Sequence, residues 1–427
     1  MRYISLPENI DTKVFVLDAG AITETPEVLQ KYFSGLRPLI IADGNTWQVA
    51  GAEVQQLCRR AGLPDYEPII LPATPKPHPD YDLAQQLAAK LPADCVPLAV
   101  GSGVINDLVK CTAQLKNLRY CCIATAASVD GYTASGGAMS VNGLKKTVPC
   151  PPPYALIADR NILQTAPAPM MAAGYADLMS KITGGADWII ADELGMEAID
   201  PAIWSLVQDD LLDNLADPGN LEKLFLGLAA TGYAMQLYHD SRPASGAEHL
   251  CSHVWEMEHL AINGEEISHG FKVGIGVLAI AQLHNFVINT PVATARAMAL
   301  APLDKAARQA EIEQLLSRGC YGSGVVELAM QKTPFGAAMT ARRQLIFAHW
   351  GALQQRLQAQ LLPLSTLHSM LQQAGAPTAF AAIGLDRKQY LHGIKTAQLI
   401  RQRYTVLDML YEAGLLEAAI QSLIDCR

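Results

Sequence analysis

The stretch Val96-Pro97-Leu98-Ala99-Val100-Gly101-Ser102-Gly103-Val104-Ile105-Asn106-Asp107 carries the pattern on which the fold turns. An apolar run of strand length meets a glycine turn, and a segment of helical composition follows to Gln114. Glycine lets a backbone approach a phosphate closely, and a helix N-terminus offers unpaired N–H groups with the positive end of its dipole. The third glycine of the dinucleotide-binding GxGxxG pattern is replaced by Asn106, so a plain tight turn remains an open alternative. Outward from this stretch, short apolar runs at 14–17, 38–41, 68–71 and 120–124 alternate with helical patterns at 46–61, ended by Gly62, and at 82–91. Strands separated by helices of this length predict βαβ units in a parallel sheet, with the run at 120–124 closing the series.

Beyond about Ala166 the texture changes. Ala/Leu/Gln/Met-rich segments at 172–194, 220–239, 248–262, 271–287 and 404–424 follow one another with few β-branched runs. They predict an all-α region. Six prolines between 149 and 169 surround the apolar run 155–158 and mark the boundary. The expected organisation is an α/β nucleotide-type domain over 1–165 and a helical domain over 166–427, with a ligand in the cleft between them.

Composition narrows the class. The chain has 427 residues, 50% hydrophobic and 17% charged, with 41 acidic against 32 basic side chains and a net charge of −9. It is too long for one compact core, too apolar for disorder, and too acidic for a general nucleic-acid binder. The apolar run 273–283, bracketed by Lys272 and His284, is too short to span a bilayer and reads as a buried helix. The N-terminal residues show no secretory pattern. Nine cysteines without a CxxC pair fit buried thiols in a reducing compartment. A cytoplasmic enzyme is expected, without a membrane span.

Five of the ten histidines fall between 239 and 269. His249 and His253, four apart in a helical pattern, share a face, as two ligands or as a ligand and a catalytic group. His269 follows at the start of the next apolar helix. Asp177, among small apolar neighbours, is the carboxylate that most needs a partner such as a cation. An Asp/His/His set would leave coordination positions open for substrate. Asp43 follows a strand, where it would either accept from an adenosine ribose or cap the next helix. Asp130, in an Asp-Gly pair after the last expected strand, reads as a turn or a substrate contact. Lys145-Lys146 is a solvated pair or an anion contact, and Arg242 and its neighbours are a second candidate for a phosphate.

Taken together, residues 101–107, Thr125-Ala126-Ala127-Ser128-Val129-Asp130-Gly131, Ala173-Gly174-Tyr175-Ala176-Asp177, residues 241–249 with His253, and His269-Gly270 resemble one family. It is the glycerol-1-phosphate dehydrogenase group of the dehydroquinate synthase/iron-containing alcohol dehydrogenase superfamily. The resemblance spans about 35–280. It implies a Rossmann-like N-terminal domain, a helical C-terminal domain, NAD or NADP, and one divalent metal, zinc first, with iron, nickel or cobalt as alternatives. Carried across, Asp177, His249 and His269 would be the metal ligands. Gly101, Ser102, Gly103, Asp107, Thr125 and Ser128 would hold the cofactor, to which the strand-end reading of Asp43 adds a ribose contact. Asp130, Asp177 and His253 would meet the substrate, with His253 and Asp130 as the catalytic pair, and Lys146 enters as the candidate phosphate contact read above. Lys181 stands where the iron-dependent alcohol dehydrogenases carry a further His, which favours the three-ligand branch. Ala134 replaces the group's usual serine, and the segment from His249 to His269 is longer than expected.

The activity so implied is metal-assisted hydride transfer between a nicotinamide and a small phosphorylated ketone such as dihydroxyacetone phosphate, giving glycerol 1-phosphate, in a homo-oligomer. A dehydroquinate-synthase-like cyclase, with no net NADH production, and a polyol or alcohol dehydrogenase on an unphosphorylated substrate are the alternatives.

Overall fold

The computed structural model describes residues 2–141 and 144–423, with the backbone alone for 144 and 145. The Lys145 side chain therefore lies outside the described residues. The chain folds into two compact units, Met1–Gly174 with Leu212–Asp240, and Tyr175–Leu211 with Ser241–Arg427. The units are not the two continuous stretches 1–165 and 166–427, because the helix Leu221–Tyr238 returns to the first. A side chain of any size at Gly232 would collide with Thr133, since a Cβ there would lie 1.9 Å from its hydroxyl. The Gln236 amide donates to the hydroxyl of Thr12 and the carbonyl of Thr133. Helical composition alone does not reveal which partner such a helix takes.

The first unit is built on a six-stranded sheet, β1 (Val14–Asp18), β2 (Arg37–Asp43), β3 (Ile69–Leu71), β4 (Cys95–Gly101), β5 (Cys121–Ala124) and β8 (Ala155–Asp159), all pairs parallel. Spatial order is β1-β8-β5-β4-β2-β3. All but the edge strand β3 are buried along nearly their whole length, which is why they read as continuous apolar runs rather than alternating ones. Val14, Val16, Ile40, Val96, Leu98, Val100, Ile123 and Ile157 form the core with Val28, Leu29 and Val54 from the helices. The run 120–124 does not close the series: 155–158, set among prolines, is strand β8 and lies between β1 and β5. A hairpin, β6 (Gly137–Val141) and β7 (Leu144–Val148), also stands outside the expected pattern, although its connecting sequence is Asn-Gly.

The second unit is helical. His269–Asn289 is the one helix among the described residues long and apolar enough to cross a bilayer, and 78% of its apolar window is buried. It packs against Ala247–Met257 within a core that includes Leu250, Val254, Trp255, Ile275, Ile280, Leu283, Trp350 and Leu407. The expected helix 248–262 stops at Met257. His259 turns left-handed, and a small hairpin, β9 (Ala261–Ile262) and β10 (Glu265–Glu266), folds around Asn263 and Gly264, both at positive φ. That Asn-Gly turn and its hairpin lie between His249 and His269 and make the unit not wholly α. The expected helix 404–424 is two helices, Val406–Ala413 and Leu416–Gln421, parted at Gly414, whose φ is +76°. Ile424 lies outside the described residues. The eight described cysteines are all free thiols, seven of them buried.

Candidate metal and catalytic centre

Three segments of the second unit converge. The 26-residue helix Ala168–Glu193 carries Asp177 and, one turn on, Lys181, both fully buried. The helix Ala247–Met257 presents Glu248 and His249 near its start and His253 and Glu256 further along the same face. His269 opens the helix His269–Asn289. One potential ligand atom from each of Asp177, His249 and His269 lies within 4.8 Å of the others. Asp177 Oδ1 is 3.3 Å from Nε2 of His249 and 3.2 Å from the Lys181 ammonium. Ring centroids stand 5.4 Å apart for His249 and His269, 6.4 Å for His249 and His253, and 5.7 Å for His253 and His269. The histidine and aspartate positions singled out in this half of the sequence are thus brought together, His253 beside the other three.

Electrostatics keeps the carboxylate charged. Burial alone would push the Asp177 carboxyl up, but Lys181, His249 and His269 together hold it well below the usual carboxylate range. Burial and Lys181 press His249 towards neutrality, yet Asp177 and Glu248 outweigh them and raise its pKa. A buried, ionised carboxylate beside two imidazoles is a donor set suited to one borderline divalent cation, with positions left for a substrate oxygen. The residues present therefore fit the metal that the family resemblance implies.

Residues that sequence reasoning passed over support this set. Glu248 accepts from the Gly246 N–H and the Thr183 hydroxyl and meets Nδ1 of His249 at 3.0 Å. Glu256 lies against His253, His269 and Lys272. The i, i+3 spacing of His253 and Glu256 was available as a signal, but such pairs are commonplace on solvated helix faces. Glu248 beside His249 and Glu256 thirteen residues before His269 carry no helical signal at all.

In the first unit, Asp43, Gly101 and Thr125 stand at the carboxyl ends of the adjacent strands β2, β4 and β5, the edge where open parallel sheets take ligands. Gly101 must be glycine, since a Cβ there would lie 2.5 Å from Ile105 Cβ. Ser102 precedes the helix Gly103–Leu115, and the Thr125 N–H donates to the Gly101 carbonyl. Ser128 is buried, and Asp130, half-buried, opens a short 3₁₀ turn. Asp43 caps its helix, Oδ1 accepting from the N–H groups of Asn45 and Thr46 at 2.8 Å. Asp107 turns towards the β6–β7 hairpin, meeting the Ala138 N–H at 3.3 Å and the Lys110 ammonium at 3.5 Å. Lys110, fully buried and unmarked by any motif, donates to the carbonyls of Gly131, Ala134 and Gly136 and so fixes the loop after Asp130. Lys146 is exposed on β7. Arg242 is buried in the second unit, donating to the carbonyls of Tyr404 and Asp187, which makes it a structural cation.

Known proteins bear the same stamp. Residues 16–167 match the family described as iron-containing alcohol dehydrogenase. The NAD(P)+ glycerol-1-phosphate dehydrogenase of Bacillus velezensis is 28% identical over 420 residues, covering 96% of this chain and 93% of its own. That of Halalkalibacterium halodurans is 35% identical over 279 residues, covering 63% of this chain and 69% of its own. Among solved structures, glycerol dehydrogenase from Schizosaccharomyces pombe superposes with a TM-score of 0.57 at 14% identity, over 95% of this chain and 89% of that one, a likeness of fold. On these similarities the chain is an oxidoreductase that belongs to the glycerol-1-phosphate dehydrogenase group of the iron-containing alcohol dehydrogenase family.

Proposed function

We propose that the protein interconverts dihydroxyacetone phosphate and glycerol 1-phosphate with NAD or NADP and one divalent cation, zinc first. The observation that carries the reading is the convergence of Asp177 and His249, both buried, and His269, half-buried, on one point of the second unit. A bound cation there would supply Lewis-acid polarisation of the substrate oxygen, and the nicotinamide the hydride. The chain's own residues do the rest. Asp177 and the two imidazoles would hold the ion, and Asp177 would border the substrate. His253, part-exposed beside them, would take or return the proton of the reacting hydroxyl. Asp130 would contact the substrate, and Lys146 would offer an exposed cation to its phosphate. The turn at Gly101, Ser102 and Gly103 would receive the cofactor's pyrophosphate at a helix N-terminus, with Thr125, Ser128 and Asp107 around it. The free, mostly buried thiols support a cytoplasmic setting.

The test is NADH and NADPH oxidation at 340 nm with dihydroxyacetone phosphate, set against dihydroxyacetone, alongside the reverse reaction with both hands of glycerol phosphate. Elemental analysis of the same preparations reports the metal. The phosphorylated ketone and glycerol 1-phosphate should be preferred, at one metal per chain. His249→Ala and His269→Ala should lose metal and turnover together. His253→Ala should keep its metal and lose about 10²- to 10⁴-fold in turnover, the range for a missing acid–base group. Preference for the unphosphorylated ketone, or normal metal in a folded His249→Ala variant, would overturn the reading.

A further inference from the structure

Each imidazole of the cluster meets a carboxylate at Nδ1. Glu248 Oε1 lies 3.0 Å from Nδ1 of His249. Glu256 serves the other two, Oε1 standing 2.9 Å from Nδ1 of His269 and Oε2 3.3 Å from Nδ1 of His253. The Glu256 side chain is 6% exposed, and its Oε1 also receives the Lys272 ammonium at 3.0 Å and the Ser252 hydroxyl at 3.3 Å. An ammonium can only donate, so Oε1 must accept. A carboxylate that accepts on both oxygens requires Nδ1–H on each facing ring, which leaves the lone pair of each neutral ring on Nε2.

We infer that Glu256 is a positioning residue that sets the tautomer of two imidazoles at once, turning His269 into a ligand through Nε2 and His253 into a proton acceptor through Nε2. The inference rests on the roles given above to His269 and His253 and adds what makes them so. One carboxylate thereby ties the metal site to the proton-transfer group, and Lys272 holds that carboxylate in its accepting state. A second cation site formed by His253, Glu256 and His269, whose potential ligand atoms also lie within 4.8 Å of one another, is the competing use of the same atoms. The Lys272 ammonium already occupies Glu256, and His269 would have to bind ions through both ring nitrogens, so the positioning role fits the contacts better.

Glu256→Gln separates the two functions. Its amide oxygen must stay with Lys272, on the His269 side, so the NH₂ faces His253 and forces that ring to carry its proton on Nε2. The variant should keep one zinc per chain, with Zn²⁺ affinity by chelator competition within about threefold of wild type, while turnover of dihydroxyacetone phosphate with NADH falls about 10²-fold at unchanged NADH KM. Glu256→Ala should in addition weaken Zn²⁺ binding by about 10- to 100-fold, as loss of an outer carboxylate does. Combined with His253→Ala, the Gln substitution should lower turnover no further than His253→Ala alone, within about twofold, because it acts through that ring. Circular dichroism and thermal unfolding confirm folding, and the isosteric Gln variant carries the test if the Ala variant does not fold. Multiplying losses in the double variant, or two zinc ions per wild-type chain, would overturn the inference. A His269→Ala variant that keeps its zinc would instead remove the ligand reading beneath it.

Discussion

At the residue scale, Asp43 shows how one carboxylate can be asked to do two things. Its Oδ1 accepts from the N–H groups of Asn45 and Thr46, while the Thr46 hydroxyl accepts from the Asp43 N–H, a closed reciprocal cap. Asp43→Ala should therefore cost about 0.5–2 kcal/mol of stability whatever the cofactor. Asp43→Asn keeps the cap and removes the charge, so it isolates the proposed ribose contact. If that contact exists, the NAD-to-NADP ratio of kcat/KM should fall in the Asn variant at unchanged melting temperature; an unchanged ratio would leave Asp43 a cap alone. The histidines were legible in the sequence because they are rare and helically spaced. Glu248, Glu256 and Lys110 were not, because charged residues are plentiful and only the fold shows which of them are buried against a site.

At the scale of elements, strands and helices were legible wherever apolar runs met turn residues, as at β4 and its glycine turn. Strand β8 was obscured by the prolines around it, and both hairpins by short strands whose connecting Asn-Gly sequences carried the only signal. What no periodicity conveys is close approach. In the helix Ala168–Glu193, a Cβ on Gly174 would stand 1.9 Å from the Ala127 carbonyl oxygen and 3.0 Å from Ser128 Cα. Both partners are backbone, so neither can swing aside. Gly174→Ala should force helix and loop apart, lowering the melting temperature by several degrees and, if Ser128 holds the cofactor as proposed, weakening NADH binding, measured by fluorescence titration. Gly351, in the helix Trp350–Gln360, has nothing within 4 Å of an added Cβ and serves as the control. Gly351→Ala should be neutral or stabilising by up to about 1 kcal/mol. Equal melting temperatures for the two variants would discard the close-approach argument.

At the scale of the whole molecule, global stability should carry a pH dependence written by a buried carboxylate remote from the histidines in sequence. Glu412, in the helix Val406–Ala413, accepts from the Tyr404 hydroxyl at 2.6 Å and faces Arg342 at 3.2 Å. Burial raises its carboxyl and the Asp408 carboxylate adds to the rise, while Tyr404 and Arg342 oppose it; the result is a pKa pushed up to about 7. Asp408, buried and tied to Lys332 and Thr405, is raised as well. A folded-state pKa above the unfolded value means that the native chain binds the proton more tightly. The contribution is therefore fully present below about pH 4.5 and is lost as pH rises through about 7. Replacing Glu412 by Gln removes the ionisation while keeping an acceptor for Tyr404. The variant should match wild type near pH 5 and exceed it near pH 8, by on the order of 3 kcal/mol if the whole shift is expressed. Urea unfolding at pH 5, 6, 7 and 8 measures the difference directly, and the comparison cancels the titrating groups that do not interact with Glu412, leaving Glu412 and its neighbour Asp408. A stability difference that stays flat over that range would show that Glu412 ionises no differently in the folded and unfolded chains.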